Sequence, residues 1–259
     1  MNILVTGANG YLARNLISSF SSHNVFELTR ANNTKEFIVQ TDPDIVVHTI
    51  CSYGRKGETA SEIYNSNLLT GIKILETVKE LDKPVTFLNC GSSLEKYTNL
   101  YSISKTQLVE LGQFLSNDKL QFINMNLEHF YGKDAKNNFI SFVINECKKN
   151  NTIPLTEGTQ RRDFIYIDDV CSAFATVLDY LDVLDSFAEV DVGTGISTPV
   201  KEVVEEIKYL TKSTSKLMFG EVPLRDNDVF EMCADTNKLQ SLGWKPNHTI
   251  KEGLIKIIS

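Results

Sequence analysis

Two side chains spaced four residues apart, Tyr101 and Lys105 in the segment YSISK, have the types and spacing for proton transfer. Residues at i and i+4 share one face of a helix, so we expect the phenol and the ammonium to lie together. A tyrosine has an unperturbed pKa of about 10, too high for ready proton exchange near neutral pH. A nearby ammonium lowers that pKa, which favours a general acid or base at Tyr101. The alternative is an ordinary pair on a helix surface.

Two serines follow the apolar run PVTFLN, which is predicted to be a strand. A hydroxyl at the carboxyl end of that strand is suited to hydrogen-bonding a carbonyl oxygen that Tyr101 protonates. Ser92 is the predicted catalytic hydroxyl, and Ser93 is the second choice. Serines also occur in many loops without any such role.

A glycine-containing turn near the start of the chain, TGANGYLA, lies where the apolar run ILVT gives way to a helical pattern. Gly7 permits a tight turn, Gly10 allows a close backbone approach, and Ala13 is small enough for the helix to pack on the strand. The N-terminus of the helix then offers free N–H groups and a partial positive charge to phosphates. The turn therefore predicts a dinucleotide site.

The end of the second apolar run, VFELT, discriminates between the two nicotinamide dinucleotides. An acid at that point accepts hydrogen bonds from the 2′-hydroxyl of NAD, whereas an arginine pairs with the 2′-phosphate of NADP. The run ends in Thr29 and Arg30, and Glu27 lies two residues before Thr29. Arg30 is predicted to bind the 2′-phosphate, which favours NADP(H), while Glu27 keeps NAD open.

Short apolar runs alternate with helical patterns through the first half of the chain. This is typical of an α/β fold with a Rossmann-type, doubly wound parallel sheet. One short helical pattern separates Arg30 from the third run, so a strand common at this place in such sheets is predicted to be missing. The runs lie at 3–7, 25–29, 44–50, 84–89 and 120–127.

The pattern changes after Gly132, where a smaller lobe is predicted at the C-terminal end. We expect the dinucleotide-binding domain to contain residues 1–131 and 163–193. The substrate-binding lobe is expected to contain residues 132–162 and 194–259.

The composition limits the classes of partner. A net charge of −7 over 259 residues argues against electrostatic binding to nucleic acid or to an anionic membrane. No apolar run reaches the roughly 18 residues that a membrane span needs, and a strand pattern from Asn2 leaves no room for a signal peptide. The five cysteines are odd in number and include no CxxC pair. Reduced thiols, no metal site and a cytoplasmic location are therefore expected.

With these residues placed, the chain resembles the extended short-chain dehydrogenase/reductases that act on nucleotide sugars, over nearly its whole length. TGANGYLA matches the dinucleotide fingerprint of that family, YSISK its catalytic pair, and HTICSYGRKG its loop over the nicotinamide. Within the family, the chain is most similar to 4-keto-sugar reductases of the CDP-abequose and CDP-paratose synthase type. The segments that carry this similarity are FLNCGS, LEHFYG, RDFIYIDDV, FGEVPLRDND and LGWKPN.

The resemblance implies two sets of binding residues. The cofactor is expected to contact Gly7, Asn9, Gly10, Tyr11, Leu12, Arg30, Ile50, Cys51, Tyr101 and Lys105. A nucleotide-diphosphosugar is expected to contact Ser92, Ser93, His129, Arg162 and Arg225. The two arginines would grip the diphosphate through charge-assisted hydrogen bonds. Each arginine could instead form a structural ion pair with the acid next to it in sequence, Asp163 or Asp226.

The activity implied by the resemblance is reduction of a keto group with NADPH. The substrate would be a nucleotide-diphospho-4-keto-6-deoxy or 3,6-dideoxy hexose, CDP-linked by preference, reduced at C4 for surface-polysaccharide synthesis. Tyr101 would protonate the oxyanion, Lys105 would tune Tyr101, and Ser92 would orient the carbonyl. A homodimer is expected, through the helix after residues 44–50 and the YSISK helix.

Other activities remain open or are disfavoured. The 4,6-dehydratases of the family carry an Asp–Glu pair after the catalytic hydroxyl, whereas Ser93 and Leu94 follow Ser92 here, which argues against dehydration. An NAD-dependent nucleotide-sugar 4-epimerase remains an alternative, disfavoured by Arg30. A non-catalytic, NADP-binding redox sensor is an alternative of another class, although such proteins commonly lack the Tyr–Lys pair that is intact here.

Overall fold

The computed structural model describes residues 1–136, 138–224 and 228–259. The chain divides into two compact units. The first unit contains Met1–Leu127 and Phe174–Val190. The second unit contains Glu128–Ala173 and Asp191–Ser259.

Strands and helices alternate along the chain. In order, the strands of the described residues are β1 (Asn2–Thr6), β2 (Asn24–Leu28), β3 (Ile45–His48), β4 (Val85–Cys90), β5 (Leu120–Leu127), β6 (His129–Tyr131), β7 (Ile153–Leu155), β8 (Arg161–Tyr166), β9 (Phe187–Val192), β10 (Ser197–Pro199) and β11 (Leu217–Phe219). The helices are α1 (Tyr11–Ser19), α2 (Thr34–Thr41), α3 (Ala60–Tyr64), α4 (Thr70–Lys79), α5 (Leu100–Leu115), α6 (Phe139–Lys148), α7 (Ile167–Asp179), α8 (Val200–Leu210), α9 (Asn237–Ser241) and α10 (Ile250–Ile258).

A six-stranded sheet in the order β2-β1-β3-β4-β5-β9 forms the frame of the first unit. The pairs from β2 to β5 are parallel, and the predicted doubly wound α/β fold is confirmed. All four residues of β3 are buried, because helices cover parallel strands on both faces. β2 is the edge strand, with α2 as the link to β3, so the predicted absence of a further strand is confirmed.

The core on one side of this sheet fixes α5, the helix that carries Tyr101. Phe87 of β4 and Phe122 of β5 stack with their ring centroids 5.3 Å apart. Gly112 of α5 lies so close that a Cβ there would be 2.3 Å from the Phe122 ring. The missing side chain therefore lets α5 pack directly on the sheet.

The helix predicted as one continuous pattern after β3 is interrupted. A π-helical segment, Asn65–Leu69, joins α3 to α4, and it contains the fully buried Asn67. Such segments are often found at functional sites. The apolar periodicity passes through it, which is why the pattern predicts one helix.

The second unit contains two small sheets. β10, β8 and β6 form one, in which β8 pairs antiparallel with β10 and parallel with β6. β7 and β11 form a parallel pair. Trp244 is buried, and its indole N–H donates to the Ser172 hydroxyl over 2.9 Å.

The observed division differs from the predicted domains at three segments. Residues 128–131, 163–173 and 191–193 are predicted in the dinucleotide-binding domain but belong to the second unit. For residues 163–173 the reason is that β8 pairs with β6 and β10, and not with the six-stranded sheet. Within the described ranges, no helix is long and apolar enough to cross a bilayer.

Candidate active site

The turn after β1 has the geometry expected of a phosphate site. Gly7 has a φ of +67°, which favours glycine, and a Cβ there would lie 3.0 Å from side-chain atoms of Thr49 and Ile50. The N–H groups of Gly7 and Ala8 donate to the Leu28 carbonyl over 3.1 and 3.4 Å, which ties the turn to the end of β2. The predicted cofactor residue Ile50 therefore adjoins this turn.

The N-terminus of α1 is open to an anion. Its cap residue, Gly10, provides no side-chain hydrogen bond, and no acid lies in the first turn. Asn9 and Gly10 are exposed, and Tyr11 and Leu12 are half-buried. The first N–H groups of α1 are thus left for a phosphate, since helix starts carry N–H groups without partners inside the helix. A dinucleotide pyrophosphate fits this cradle.

The end of β2 presents both side chains that bear on cofactor choice. Arg30 and Glu27 are exposed. The turn that carries Arg30 is held by Asn32, whose Oδ1 accepts from the Thr29 N–H and hydroxyl, each over 2.9 Å. Among the described residues, Arg30 forms no ion pair. Its guanidinium is therefore available to a ligand.

The predicted catalytic residues of the first unit lie together. Asn99 caps α5 by accepting from the Ser102 N–H over 2.9 Å, and this cap places Tyr101 at the start of the helix. The Tyr101 side chain is buried, and an interaction with the Ser92 side chain acts to lower the pKa of its phenol. Lys105 lies one turn further along α5 and is 3% exposed.

Ser93 has a different role from Ser92. Its N–H and its hydroxyl both donate to the Leu127 carbonyl, each over 3.2 Å. These bonds join the loop after β4 to the end of β5. Of the two serines, Ser92 is therefore the one that interacts with Tyr101.

Burial dominates the electrostatics of this cluster. Desolvation, followed by the charge of Cys51, raises the pKa of Tyr101, while the Ser92 hydrogen bond and the charge of Arg55 oppose the rise. The net direction is opposite to the lowering expected from Lys105, because burial outweighs the opposing charges. Desolvation also lowers the pKa of Lys105. The Tyr101 phenol is therefore protonated across neutral pH.

Two buried groups near Lys105 were not predicted as site residues. Burial, then the charge of Lys105, lowers the pKa of His48 to about 3, so the imidazole is neutral and bonds the Thr6 hydroxyl over 2.9 Å. Burial raises the pKa of the Cys90 thiol to about 12. Both groups are therefore uncharged near neutral pH.

Asn67 connects the loop after β3 to α5. Its side-chain amide donates to the Ser52 carbonyl and to the Ser104 hydroxyl, each over 2.9 Å. Ser104 is the residue before Lys105, so the loop is held against the catalytic helix. Cys51, predicted at the cofactor, is half-buried in this loop, and its interactions with Tyr53 act to raise the pKa of Tyr53.

Sequence reasoning missed Tyr53 and Arg55 in the same loop. The Tyr53 ring stacks on Tyr101, with ring centroids 4.9 Å apart and an interplanar angle of 30°. The Arg55 guanidinium lies 5.2 Å from the centroid of the Tyr53 ring. The signal for these two residues is the segment HTICSYGRKG, which resembles the loop over the nicotinamide in the family.

Two of the predicted substrate-binding residues, His129 and Arg162, lie in the described part of the second unit. Arg162 is 8% exposed and donates to Asp228 over 2.6 Å and to the carbonyls of Arg161 and Phe230. Its ion-pair partner is thus Asp228 and not the sequence neighbour suggested above. Arg225 lies outside the described residues.

His129, the other predicted substrate residue, begins β6. Its side chain is 40% exposed, and its ring packs edge-on against Phe164 with centroids 5.9 Å apart. Its Nδ1 lies 3.5 Å from the buried carboxylate of Glu128. The ring is therefore held in place while part of it stays accessible.

Comparison with known proteins identifies the family of the chain. A sequence profile described as the NAD dependent epimerase/dehydratase family matches residues 3–193. The chain is 33% identical to a CDP-abequose synthase of Salmonella muenchen and 29% identical to one of Salmonella typhimurium. Each alignment covers 99% of this chain and 97% of the relative.

A solved structure shows the same fold. The UDP-glucose 4-epimerase of Thermotoga maritima, solved with UDP-glucose, matches with a TM-score of 0.84 at 18% identity. The match covers 100% of this chain and 97% of that one. The family resemblance drawn from the sequence is thus confirmed. The chain belongs to the NAD dependent epimerase/dehydratase family and is an NAD(P)-dependent enzyme.

Proposed function

We propose that the chain is an NADPH-dependent reductase of the C4 keto group of a nucleotide-diphospho-4-keto-6-deoxy or 3,6-dideoxy hexose. The observation that carries this proposal is the buried Tyr101 phenol, which interacts with the Ser92 side chain and lies one helical turn before the buried side chain of Lys105. A phenol that is protonated at neutral pH is suited to donate a proton to a carbonyl oxygen as the carbonyl is reduced.

The favoured substrate is CDP-linked, because the two relatives named above are CDP-abequose synthases. The product would serve deoxysugar synthesis for surface polysaccharides such as O-antigen. In the second unit, Arg162 has N–H donors beyond the three in use and would bind the diphosphate, with His129 beside it. We assign Arg225 to the same diphosphate.

Three side chains carry the chemistry in this proposal. NADPH, when bound, supplies a hydride to the carbonyl carbon. Tyr101 donates its proton to the carbonyl oxygen, and the Ser92 hydroxyl hydrogen-bonds that oxygen and holds the carbonyl in place. Lys105 favours the tyrosinate that remains and hydrogen-bonds the nicotinamide ribose. Proton transfer by a positioned side chain contributes about 10²–10⁴-fold to a rate.

Arg30→Ala is expected to weaken NADPH binding by about 10- to 100-fold, because charge-assisted hydrogen bonds contribute about 1.5–3 kcal/mol. NADH lacks the 2′-phosphate, so its affinity should change by less than about twofold. The two dissociation constants are measured by quenching of the fluorescence of each reduced cofactor.

The matched control for this experiment is Lys35→Ala. Lys35 lies on α2, where its ammonium pairs with Glu80 over 2.6 Å and has no assigned ligand. The Lys35→Ala substitution removes one positive charge, as Arg30→Ala does, and should leave the affinities for NADPH and NADH unchanged. Equal weakening of NADPH and NADH by Arg30→Ala contradicts the 2′-phosphate role.

The proposed activity is tested by NADPH oxidation with CDP-, dTDP- and GDP-linked 4-keto sugars, with product stereochemistry determined by NMR. We expect oxidation with the CDP-linked sugar. Interconversion of C4 epimers without net oxidation identifies the 4-epimerase, the second candidate, which the exposed Glu27 at the end of β2 favours. Quenching of NADPH fluorescence without turnover of any sugar identifies a redox sensor.

We also propose a cytoplasmic homodimer. The π-helical segment and α5 carry exposed apolar side chains that a second copy would cover. These are Leu69, Leu100 and Phe114, which are 46%, 43% and 84% exposed. Exposed apolar groups of this kind on neighbouring helices are typical of an interface.

A further inference from the structure

The loop after β3, residues 51–58, is held by its own hydrogen bonds. The Ser52 N–H donates to Asn67 Oδ1 over 2.6 Å, and the Ser52 hydroxyl donates to Glu58 Oε1 over 2.8 Å. The Lys56 N–H donates to the other Glu58 oxygen over 2.6 Å. These bonds fix the loop at both ends.

Residues 53–55 of this loop bring an aromatic ring and a guanidinium group to Tyr101. Gly54 has a φ of +66°, a left-handed conformation that lets the chain turn between Tyr53 and Arg55. The Arg55 guanidinium carbon lies 5.2 Å from the centroid of the Tyr53 ring. The Tyr53 ring in turn stacks on Tyr101 with centroids 4.9 Å apart. A permanent positive charge therefore lies one aromatic ring away from Tyr101.

The ionisable groups around Tyr101 come from three elements. They are Cys51, Tyr53 and Arg55 from the loop after β3, Cys90 from the end of β4, and Lys105 from α5. Burial and the Cys51 and Cys90 thiols raise the pKa of Tyr101, whereas the charge of Arg55 lowers it. Arg55 thus acts in the direction that proton donation requires.

We infer that Tyr53 and Arg55 are positioning residues for proton transfer by Tyr101. Tyr53 holds the Tyr101 ring by stacking on it, and Arg55 stabilises the tyrosinate that the transfer leaves. The inference rests on the proposed function. In that step the Tyr101 O–H bond breaks, an O–H bond forms on the substrate oxygen, and the negative charge passes from that oxygen to Tyr101. A fixed cation nearby lowers the energy of the product charge.

The surroundings of Tyr53 argue against a role in packing alone. Its side chain is 47% exposed, so the ring contributes little to the core. Two specific contacts hold it nonetheless, namely the stack on Tyr101 and the guanidinium of Arg55 over the ring. Cation–π and aromatic stacking contacts fix the orientation of a ring as well as its position.

The test measures kcat against pH for the reduction of CDP-4-keto-3,6-dideoxyglucose by NADPH, and the quantity compared is the pH at which kcat falls on the alkaline side, the alkaline limb. Reduction needs protonated Tyr101, so activity falls as pH rises through its pKa. Arg55→Met removes the cation and raises that pKa, so we expect its limb to move upward by about 0.5–1 pH unit. Arg55→Lys keeps the charge and should leave the limb near that of the wild type.

Tyr53→Leu tests the stacking contact. We expect kcat to fall by about tenfold or more, because small displacements of a reacting group are costly. The affinity for NADPH, measured without turnover by fluorescence quenching, should not change in Tyr53→Leu or Arg55→Met. A parallel loss of NADPH affinity would show a disturbed fold and contradict the positioning role.

Lys56→Met is the matched control, because it removes one positive charge from the neighbouring exposed position. Its alkaline limb is expected to stay in place. An unmoved limb in Arg55→Met, or an equal shift in Lys56→Met, overturns the inference. Tyr101→Phe in the same assay separates the two proposals: wild-type turnover in that variant refutes Tyr101 as the acid, whatever Arg55→Met does.

Discussion

Replacing Tyr101 with phenylalanine is expected to lower kcat for keto-sugar reduction by about 10²–10⁴-fold, the usual contribution of a positioned general acid. The substitution removes one oxygen atom. The remaining ring keeps the buried position and the stacking contact with Tyr53. Because the phenol makes its main contribution in the transition state, NADPH affinity should stay within about twofold. Steady-state NADPH oxidation and fluorescence quenching measure the two quantities.

Tyr97→Phe is the control for this substitution. Tyr97 lies in the loop before α5, is 77% exposed and has no assigned role in the chemistry. Removing the Tyr97 hydroxyl should leave kcat unchanged. If Tyr101→Phe retains turnover within about tenfold of the wild type, another group supplies the proton, and Ser92 is the first candidate.

The architecture of the first unit was predictable because its central strands are buried on both faces. Such strands need an apolar side chain at nearly every position, and β3 is buried at all four. The short link between β2 and β3 likewise predicted the missing edge strand. The π-helical segment was not predictable, since it depends on the bonds that Asn67 makes to Ser52 and Ser104, which lie far apart in sequence.

The candidate site was predictable where its residues share one local element. Tyr101 and Lys105 lie on one helix face, so their spacing alone predicts that they meet. The stack of Tyr53 on Tyr101 joins two separate segments and depends on the left-handed Gly54, which is one glycine among 14 in the chain. Periodicity carries no information about such a loop path.

Arg162 and Asp163 show why neighbours in a strand are poor candidates for an ion pair. Successive side chains of β8 point to opposite faces. Arg162 therefore pairs with Asp228, 66 residues away, while Asp163 lies fully buried on the other side. There its carboxylate accepts from the Thr194 N–H and hydroxyl over 2.9 and 2.6 Å and from the Gly195 N–H over 2.9 Å.

Asp163→Ala is expected to lower the free energy of unfolding of the second unit by about 3–5 kcal/mol, because several donors around this fully buried carboxylate lose their acceptor at once. Trp244 is the one tryptophan of the chain and is buried in this unit, so its fluorescence during urea unfolding reports the effect. Asp163→Asn keeps one acceptor oxygen and should lose about half as much. Asp168→Ala, at a 59% exposed carboxylate in the same unit, is the control and should cost less than about 1 kcal/mol. Equal urea midpoints for Asp163→Ala and Asp168→Ala would show that the buried carboxylate is not what joins β8 to residues 193–195.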